Sequence, residues 1–276
     1  MDSLAAHRTP FPFGLSFVPP DVLAPIAAGH ADPAGALVAA CAELQASFAF
    51  VPAAAPWAER AVAMLAETGI APLWAVDGPL WPVIEARGAM DGLRATLTHP
   101  GEVGAELDEG LDLIVRDVTR GAELGARAIV LAEDLAGSDG PLVAPDFAIA
   151  ELLPRYERVT RVARALGIPA ILHSDGDVRP LLHAVSRAGF SAIHAGGGLG
   201  FEAFDRLFWA ARDEGLAVMG GLLTAELGNP ARAVAIGSTI GVLAHAGGLF
   251  VSDDGGITTS AEMGNLVSAL AAARDA

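Results

Sequence analysis

The sequence contains no lysine, and all 17 of its basic residues are arginine. Schiff-base catalysis needs a lysine amine, so this absence excludes lysine aldolases and pyridoxal phosphate enzymes. A Walker-type phosphate loop is excluded as well, because its lysine is needed to contact the phosphates.

Cysteine is nearly absent, since Cys41 is the only one. An intramolecular disulfide and a metal site built from several cysteines are therefore excluded. Cys41 lies in the apolar helical pattern Ala-Leu-Val-Ala-Ala-Cys-Ala-Glu-Leu, which predicts a packed thiol rather than a nucleophile. No apolar run approaches the ~20 residues of a membrane span. Residues 1–10 lack the pattern of an export signal, and we expect a cytoplasmic protein.

Basic residues are also few relative to acidic ones, which number 33 and give a formal net charge of −16. Nucleic acids and anionic membranes need clustered positive charge, so neither is expected as a partner. Hydrophobic residues make up 53% of the 276 residues, enough for a large core. The chain shows no linker or break in composition, and we predict a single domain over residues 1–276.

Short apolar runs that end in small or polar residues recur eight times, each followed by a segment with helical spacing of apolar residues. Five of these segments stop at a glycine (Gly69, Gly125, Gly167, Gly189 and Gly215), the residue expected just past a helix end. The predicted strands are 12–17, 47–52, 72–77, 128–133, 170–174, 191–194, 217–221 and 248–252.

Strands that alternate with helices predict a parallel sheet, and eight units in 276 residues predict a (β/α)₈ TIM barrel. The alternative is a doubly wound open sheet. Its dinucleotide fingerprint should follow the first strand, whereas the glycines of Gly196–Gly200 follow the sixth. We therefore favour the barrel and expect no NAD site.

In a barrel, the residues that end the strands share one mouth, where active sites are built. The most informative segment is Ile168–Asp177, a buried strand that opens into a cluster of polar residues. Acidic residues and imidazoles are costly there unless they have partners. The predicted mouth contains Asp77, Glu133, Asp134, His173, Asp175, Asp177, Arg179, His194, Asp253 and Asp254.

Structural roles remain open for several of these residues. His173 could simply order its loop by donating to a carboxylate, and His194 could be a satisfied histidine at a strand end. Asp177 could cap the fifth helix, and Asp77, which precedes Gly-Pro, could be a turn residue. One of Glu133 and Asp134 could accept hydrogen bonds from the turn that follows them.

Four motifs lie in order over roughly the C-terminal two thirds of the chain. They are Ala132-Glu-Asp-Leu-Ala-Gly-Ser-Asp-Gly-Pro-Leu-Val-Ala-Pro-Asp-Phe147 with Leu153-Pro-Arg-Tyr156, then Gly167-Ile-Pro-Ala-Ile-Leu-His-Ser-Asp-Gly-Asp177, Gly220-Gly-Leu-Leu-Thr-Ala-Glu-Leu227 and Gly248-Leu-Phe-Val-Ser-Asp-Asp-Gly-Gly-Ile257. Together these motifs resemble the uroporphyrinogen decarboxylase superfamily. The motif that begins at Gly220 is similar to the family's Gly-Gly-x-Asp-x-x-x-Leu, with Leu223 in place of the aspartate. The resemblance implies a (β/α)₈ barrel.

The superfamily has two branches, and this sequence departs from both. The decarboxylases bind a porphyrinogen through an arginine-rich N-terminal loop, but Arg8 is the only arginine before Arg60 here. The methyltransferases move a methyl group to or from a corrinoid on a partner protein, and hold zinc with a His-x-Cys pair and a later Cys. Here Asp175 stands at the first Cys position, and the later one falls near Gly255.

The resemblance thus implies a methyltransferase with an oxygen-rich metal site. We expect His173 and Asp175, with Glu133 or Asp253, to bind zinc or another divalent metal such as manganese. Glu133 and Asp134 would position substrate, and Asp253 would close the site. Substrate contacts are expected from Asp77, Asp177, Arg179 and His194. A homodimer is compatible with this reading.

Two other functions remain open at this point. One is a metal-free lyase, a decarboxylase whose carboxyl groups protonate a carbanion-like intermediate. The other is a non-catalytic protein that binds a small molecule in the barrel mouth. The fold alone does not choose among them, because TIM barrels host many chemistries.

Overall fold

Eight parallel strands close into one barrel in the computed structural model, which describes residues 11–27, 30 and 32–276. Each strand pairs with the strands before and after it in the chain, and β1 pairs with β8 to complete the ring. The eight predicted strands are confirmed, each within two residues at either end. They are β1 (Phe13–Leu15), β2 (Phe48–Pro52), β3 (Ala71–Asp77), β4 (Ala128–Ala132), β5 (Ala170–His173), β6 (Ala192–His194), β7 (Ala217–Leu222) and β8 (Leu249–Asp253).

One main helix follows each strand and packs on the outside of the barrel. Shorter helical segments lie in the loops, at Pro20–Leu23, Leu80–Ala86, Ala89–Thr98, Pro145–Phe147, Ala148–Leu152 (a π-helical turn), Arg179–Leu181 and Thr224–Leu227. The main helices are α1 (Pro33–Glu43), α2 (Ala58–Thr68), α3 (Pro100–Leu124), α4 (Leu153–Ala165), α5 (Leu182–Arg187), α6 (Phe201–Asp213), α7 (Pro230–His245) and α8 (Ser260–Asp275).

Glycine ends several of these helices as the sequence predicts. The five predicted stop residues all have positive φ, from 76° at Gly215 to 98° at Gly125. An L side chain rarely adopts this conformation, so the glycines let the chain leave each helix and enter the next strand within a few residues. Cys41 is fully buried on α1, and burial raises the pKa of its thiol to about 12. It is a packing residue, as predicted.

The strands alternate between two cores. Side chains such as Phe50, Val130 and Ile171 point into the barrel and form the inner cluster. Their neighbours Val51, Ile129 and Leu172 point outward and pack beneath the helices. Because a strand has a side-chain period of two, this parity continues into the first residues of each loop and decides which polar groups face the mouth.

Outside the barrel, a two-stranded antiparallel ribbon joins Ala136–Gly137 to Gly140–Pro141. Residues 1–10, on which the expectation about an export signal rests, lie outside the described residues. Among the residues that are described, no helix combines the length and the apolar character needed to cross a bilayer.

Candidate active site at the barrel mouth

Strand parity brings one set of polar side chains into the mouth. On β4 the inward positions are Val130 and Ala132, so the next inward position is Asp134. On β5 they are Ile171 and His173, followed by Asp175. These side chains lie at the carboxyl ends of adjacent strands, where a TIM barrel builds its active site. The sequence analysis predicted all three as site residues, and the structure brings them together.

A cavity of about 400 Å³ lies over this end of the barrel. Its walls combine carboxyl groups with two aromatic rings and one imidazole. Asp77 reaches it from the end of β3, so this residue is available to a ligand and is not confined to its turn. The lining residues are Phe17, Asp77, Gly78, Trp81, Pro82, Glu85, Ala132, Glu133, Asp134 and His173.

His173 and His194 are register partners on β5 and β6, and their Nδ1 atoms lie 2.7 Å apart in a hydrogen bond. His194 Nε2 is 2.9 Å from the backbone carbonyl oxygen of Asp253. A carbonyl only accepts, so Nε2 of His194 must donate and its Nδ1 must accept from His173. The remaining nitrogen of His173, Nε2, therefore carries a lone pair.

Both imidazoles are buried, and burial lowers the pKa of each below the usual histidine value. The neighbouring His194 lowers the pKa of His173 further. Both rings are therefore neutral near pH 7, as the hydrogen-bond chain requires. The fixed lone pair of His173 faces Asp134, whose Oδ1 lies 3.9 Å from Nε2.

Asp134, His173 and Asp175 form a cluster in which one ligand atom from each lies within 4.8 Å of the others. Asp175 is partly buried, and its Oδ1 has no hydrogen-bond partner among the described residues. Burial, with the nearby Asp134 charge, raises the pKa of Asp175 to about 6. Asp134 Oδ1 accepts the backbone N–H of Asp175 at 3.1 Å, and the side-chain groups that converge here are two carboxyl groups and an imidazole lone pair.

These three residues fit a divalent cation. Ligand atoms about 2.1 Å from zinc lie about 3 to 4 Å from one another, so small rotations of the half-exposed Asp134 and of Asp175 complete a site. Imidazole with two carboxylates suits zinc or manganese. A histidine that donates its other N–H to a fixed acceptor is typical of metal ligands, because the hydrogen bond fixes its tautomer.

Glu133 and Asp253, the expected third ligands, are not part of the described cluster, which contains Asp134 instead. Glu133 and Asp253 occupy outward positions on β4 and β8, where side chains point toward the helices. Strand parity is the physical reason for the difference.

Glu133 is buried behind the cavity wall, 1% exposed. Its Oε2 accepts hydrogen bonds from the backbone N–H of Leu80 and the hydroxyl of Tyr156, both at 3.1 Å. Its Oε1 has no partner among the described residues. Burial raises the pKa of Glu133 to about 8, so this carboxyl is largely protonated at neutral pH.

The two aspartates at the end of β8, Asp253 and Asp254, are buried and held by hydrogen bonds. Asp253 accepts from the backbone N–H and hydroxyl of Ser16 and from the N–H of Gly255, so it ties the end of β8 to the end of β1. Asp254 accepts from the backbone N–H and hydroxyl of Thr224. Burial nevertheless raises the pKa of Asp254 to about 7.

Asp177 and Arg179 bind each other. Two contacts of 2.8 and 2.6 Å join the guanidinium to the carboxylate, and the pair lowers the pKa of Asp177. Asp177 also accepts from the backbone N–H of Arg179 at 3.2 Å, which is a local capping contact at the turn before α5. Neither residue lines the cavity described above, and their roles in substrate binding stay predictions.

Three aromatic residues, Phe17, Trp81 and Tyr156, also contact the polar groups of the site. Phe17 stacks on His173 with ring centroids 4.9 Å apart, and the indole N–H of Trp81 donates to the backbone carbonyl of Asp134 at 2.9 Å. The available signal was position, since Phe17 and Trp81 follow β1 and β3 by two and four residues. Tyr156 lies on α4, and nothing in the local pattern points to Glu133.

Comparison with known proteins defines the fold and not the activity. No protein-family model matches the chain, and no curated protein matches it either. Among solved structures, a methyltransferase from Methanosarcina mazei matches with a TM-score of 0.61 and 20% identity, over 79% of this chain and 63% of that one. This chain thus spans less than two thirds of that methyltransferase.

Two more distant barrels match over most of this chain. The glycoside hydrolase domain of PelA from Pseudomonas aeruginosa gives a TM-score of 0.49 at 15% identity, over 87% of this chain and 93% of that one. A mandelate racemase/muconate lactonizing enzyme from Jannaschia gives 0.48 at 12%, over 90% and 55%. The chain belongs to the class of (β/α)₈ barrels, with a histidine–carboxylate cluster at its mouth.

Proposed function

We propose that this protein is a metal-dependent methyltransferase that moves a methyl group between a small molecule and a corrinoid carried by a partner protein. The observation that carries the proposal is the fixed lone pair of His173 Nε2 beside Asp134 and the unpartnered Oδ1 of Asp175. Two carboxylates and a lone pair repel one another unless a cation lies between them.

Asp134, His173 and Asp175 would hold the divalent cation. When bound, such a cation supplies Lewis acidity that lowers the pKa of a thiol or hydroxyl on the substrate. His194 keeps His173 in the tautomer with Nε2 free, and the carbonyl of Asp253 in turn fixes His194. Phe17, packed on His173, covers the imidazole and limits access of water from that side.

Methyl transfer requires orientation and a suitable charge on the heteroatom. The methyl group moves as a formal CH₃⁺: one bond to it breaks and leaves its electron pair on the donor, and the acceptor's electron pair forms the new bond. A thiol or hydroxyl acceptor must lose its proton first; the bound cation would lower the pKa of that group, and the proton would pass to water at the mouth. Holding both partners in line supplies the rest of the rate gain.

Three observations favour methyl transfer over other metal-assisted reactions. The four motifs resemble a superfamily with a methyltransferase branch, and a solved methyltransferase has the same barrel at a TM-score of 0.61. The mouth is also open at the carboxyl ends of the strands, so a partner that carries a corrinoid has a face to approach.

The test uses methylcobalamin as a free corrinoid and a panel of small thiols as acceptors. We expect protein-dependent demethylation, followed by the change in the visible spectrum, that requires zinc or manganese. Asp175→Asn should abolish it, whereas the control Glu67→Gln, at the opposite end of the barrel, should not. A rate no faster than that without protein, with either metal and every acceptor, would contradict the proposal.

A metal-free lyase is the second candidate, and Glu133 is the observation that favours it. This carboxyl is largely protonated at neutral pH, lines the cavity and has a free Oε1. Such a group suits protonation of the carbanion that a decarboxylation leaves behind. Carbon dioxide release that persists in chelator and disappears in Glu133→Gln would favour the lyase.

A further inference from the structure

The cavity at the barrel mouth is lined by carboxyl groups and aromatic faces together. Asp77 and Glu85 are exposed at its rim, and Asp134 and Glu133 lie deeper. Phe17 and Trp81 provide the aromatic rings. Carboxylates and aromatic faces share one preference, since both attract positive charge.

Basic side chains do not contribute to this cavity among the described residues. The neighbouring arginines are engaged elsewhere: Arg179 pairs with Asp177, and Arg87 pairs with Glu106. Apart from the proposed metal ion, the side chains of the wall therefore offer no positive charge to an anionic ligand. A carboxylated or phosphorylated molecule would enter a negative field without a partner, while a cation would be attracted.

The two aromatic rings are held in place before a ligand arrives. The Trp81 indole is fixed by its 2.9 Å hydrogen bond to the carbonyl of Asp134. Phe17 is held by a perpendicular contact with Phe50, at 5.2 Å between centroids, and by its contact with His173. Rings that do not have to be ordered on binding give more of their interaction energy to the ligand.

Glu133 gives an independent sign of a ligand. Its side chain is 1% exposed and lines the cavity, and its Oε1 has no partner among the described residues. A buried oxygen without a donor is costly in a folded protein. A ligand that brings a hydroxyl group, which both donates and accepts a hydrogen bond, would satisfy it.

A larger groove of about 1180 Å³ adjoins the cavity and shares Phe17, Asp77, Gly78 and Pro82 with it. Its described lining carries five acidic residues (Glu59, Asp77, Glu106, Glu109 and Asp117) and one basic residue, Arg120, which pairs with Glu59. Negative charge thus extends from the mouth over the adjacent surface. Such a field raises the local concentration of a cationic ligand.

We infer that the substrate of this site is a small organic cation with a thiol or hydroxyl group, such as an amino-thiol or amino-alcohol. Its ammonium head lies against Trp81 and Phe17 with Asp77 and Glu85 beside it, and its heteroatom reaches the Asp134–His173–Asp175 end. The inference rests on the proposed function for the role of that heteroatom, but its cation selectivity follows from the cavity alone.

Binding of choline is the test, with 3,3-dimethylbutan-1-ol as the neutral molecule of the same shape. Both are titrated into the metal-free full chain by calorimetry. We expect choline to bind at least about tenfold more tightly, the equivalent of about 1.4 kcal/mol. Trp81→Ala should weaken choline binding about tenfold and Trp81→Phe much less. The double variant Asp77→Asn/Glu85→Gln should remove the preference, and Glu67→Gln should leave it unchanged.

Equal binding of the two molecules, no choline binding at millimolar concentration, or binding unaffected by the Trp81 and carboxylate variants would overturn the inference. Because the assay contains neither corrinoid nor metal, it is separate from the test of methyl transfer. Choline binding without any methyl transfer would sink only the proposed function. Methyl transfer to neutral thiols, with no preference for cations, would sink only this inference.

Discussion

Two pairs of consecutive acidic residues lie at the barrel mouth, one at the end of β4 and one at the end of β8, and the two pairs have different roles. In the pair after β4, Glu133 is buried and bonded to the scaffold, while Asp134 lines the cavity beside His173. In the pair at the end of β8, both Asp253 and Asp254 are fully buried, and each accepts several hydrogen bonds from neighbouring loops. The pair at the end of β4 thus leaves the Asp134 carboxylate available to a ligand, whereas the pair at the end of β8 leaves neither carboxylate available.

The difference separates scaffold from ligand-binding groups better than residue type does. A carboxylate whose oxygens already accept N–H and O–H bonds has little to offer a cation or a substrate. The groups with unsatisfied oxygens or lone pairs are those that converge at the end of β4 and β5. The predictions below test this contrast.

Asp254→Asn should have the largest effect, a change in how the free energy of unfolding depends on pH. The pKa of Asp254 rises from 3.8 to about 7 on folding, so the folded protein keeps a proton that the unfolded chain releases. The contribution of Asp254 to the free energy of unfolding is therefore full below pH 3.8 and is lost as pH rises to about 7, a change on the order of 4 kcal/mol. The variant should lose this part of the pH dependence when the free energy of unfolding is measured in urea at several pH values. An unchanged pH dependence would contradict the raised pKa of Asp254.

Asp253→Ala should come next, with a loss of about 3 kcal/mol in the free energy of unfolding. The backbone N–H and the hydroxyl of Ser16 and the N–H of Gly255 would lose their acceptor inside the protein, where unpaired donors are costly. Urea unfolding at one pH measures this. Asp134→Ala is the matched comparison from the other pair, and a loss as large as that of Asp253→Ala would break the contrast.

His194→Phe should weaken metal binding more than it lowers the free energy of unfolding. The ring size is retained, but His173 Nδ1 loses its acceptor and the tautomer is no longer fixed. We expect zinc affinity to fall about 10- to 100-fold, measured by competition with a chromophoric chelator. His183→Gln, at an exposed histidine paired with Glu214, is the control. Equal zinc affinity in wild type and His194→Phe would contradict the hydrogen-bond relay.

Asp177→Asn should have the smallest effect. Its ion pair with Arg179 is partly exposed, and such pairs contribute about 1 kcal/mol or less. Thermal unfolding should change little, and bound metal should not change. Loss of metal in this variant would show that the site extends beyond the three residues of the cluster.

The fold was predictable from the sequence because its signals are local. Each barrel strand is an apolar run, and glycines such as Gly69 and Gly167 mark where helices end. The predicted strands also show which side chains face inward, because every second residue along β4 and β5 and into the loops that follow points into the barrel. This alternation selects Asp134, His173 and Asp175. The sequence analysis did not use this alternation, and it named Glu133 or Asp253 as the third ligand.

Other parts of the site depend on contacts between distant segments. Three hydrogen bonds of the site join separate βα units. They link Trp81 to the Asp134 carbonyl, Tyr156 to Glu133, and Ser16 to Asp253. Hydrophobic periodicity does not specify such pairs, because it fixes the face of a residue and not its partner. Whether a carboxylate is satisfied was therefore visible only in three dimensions.

The most direct test of the central claim, that Asp134, His173 and Asp175 bind a divalent cation, is the metal content of the purified protein by elemental mass spectrometry. We expect near-stoichiometric zinc or manganese in the wild type and in the control Asp254→Asn. His173→Ala/Asp175→Ala should contain none. A wild-type protein without metal, even after incubation with excess zinc and manganese, would contradict the account.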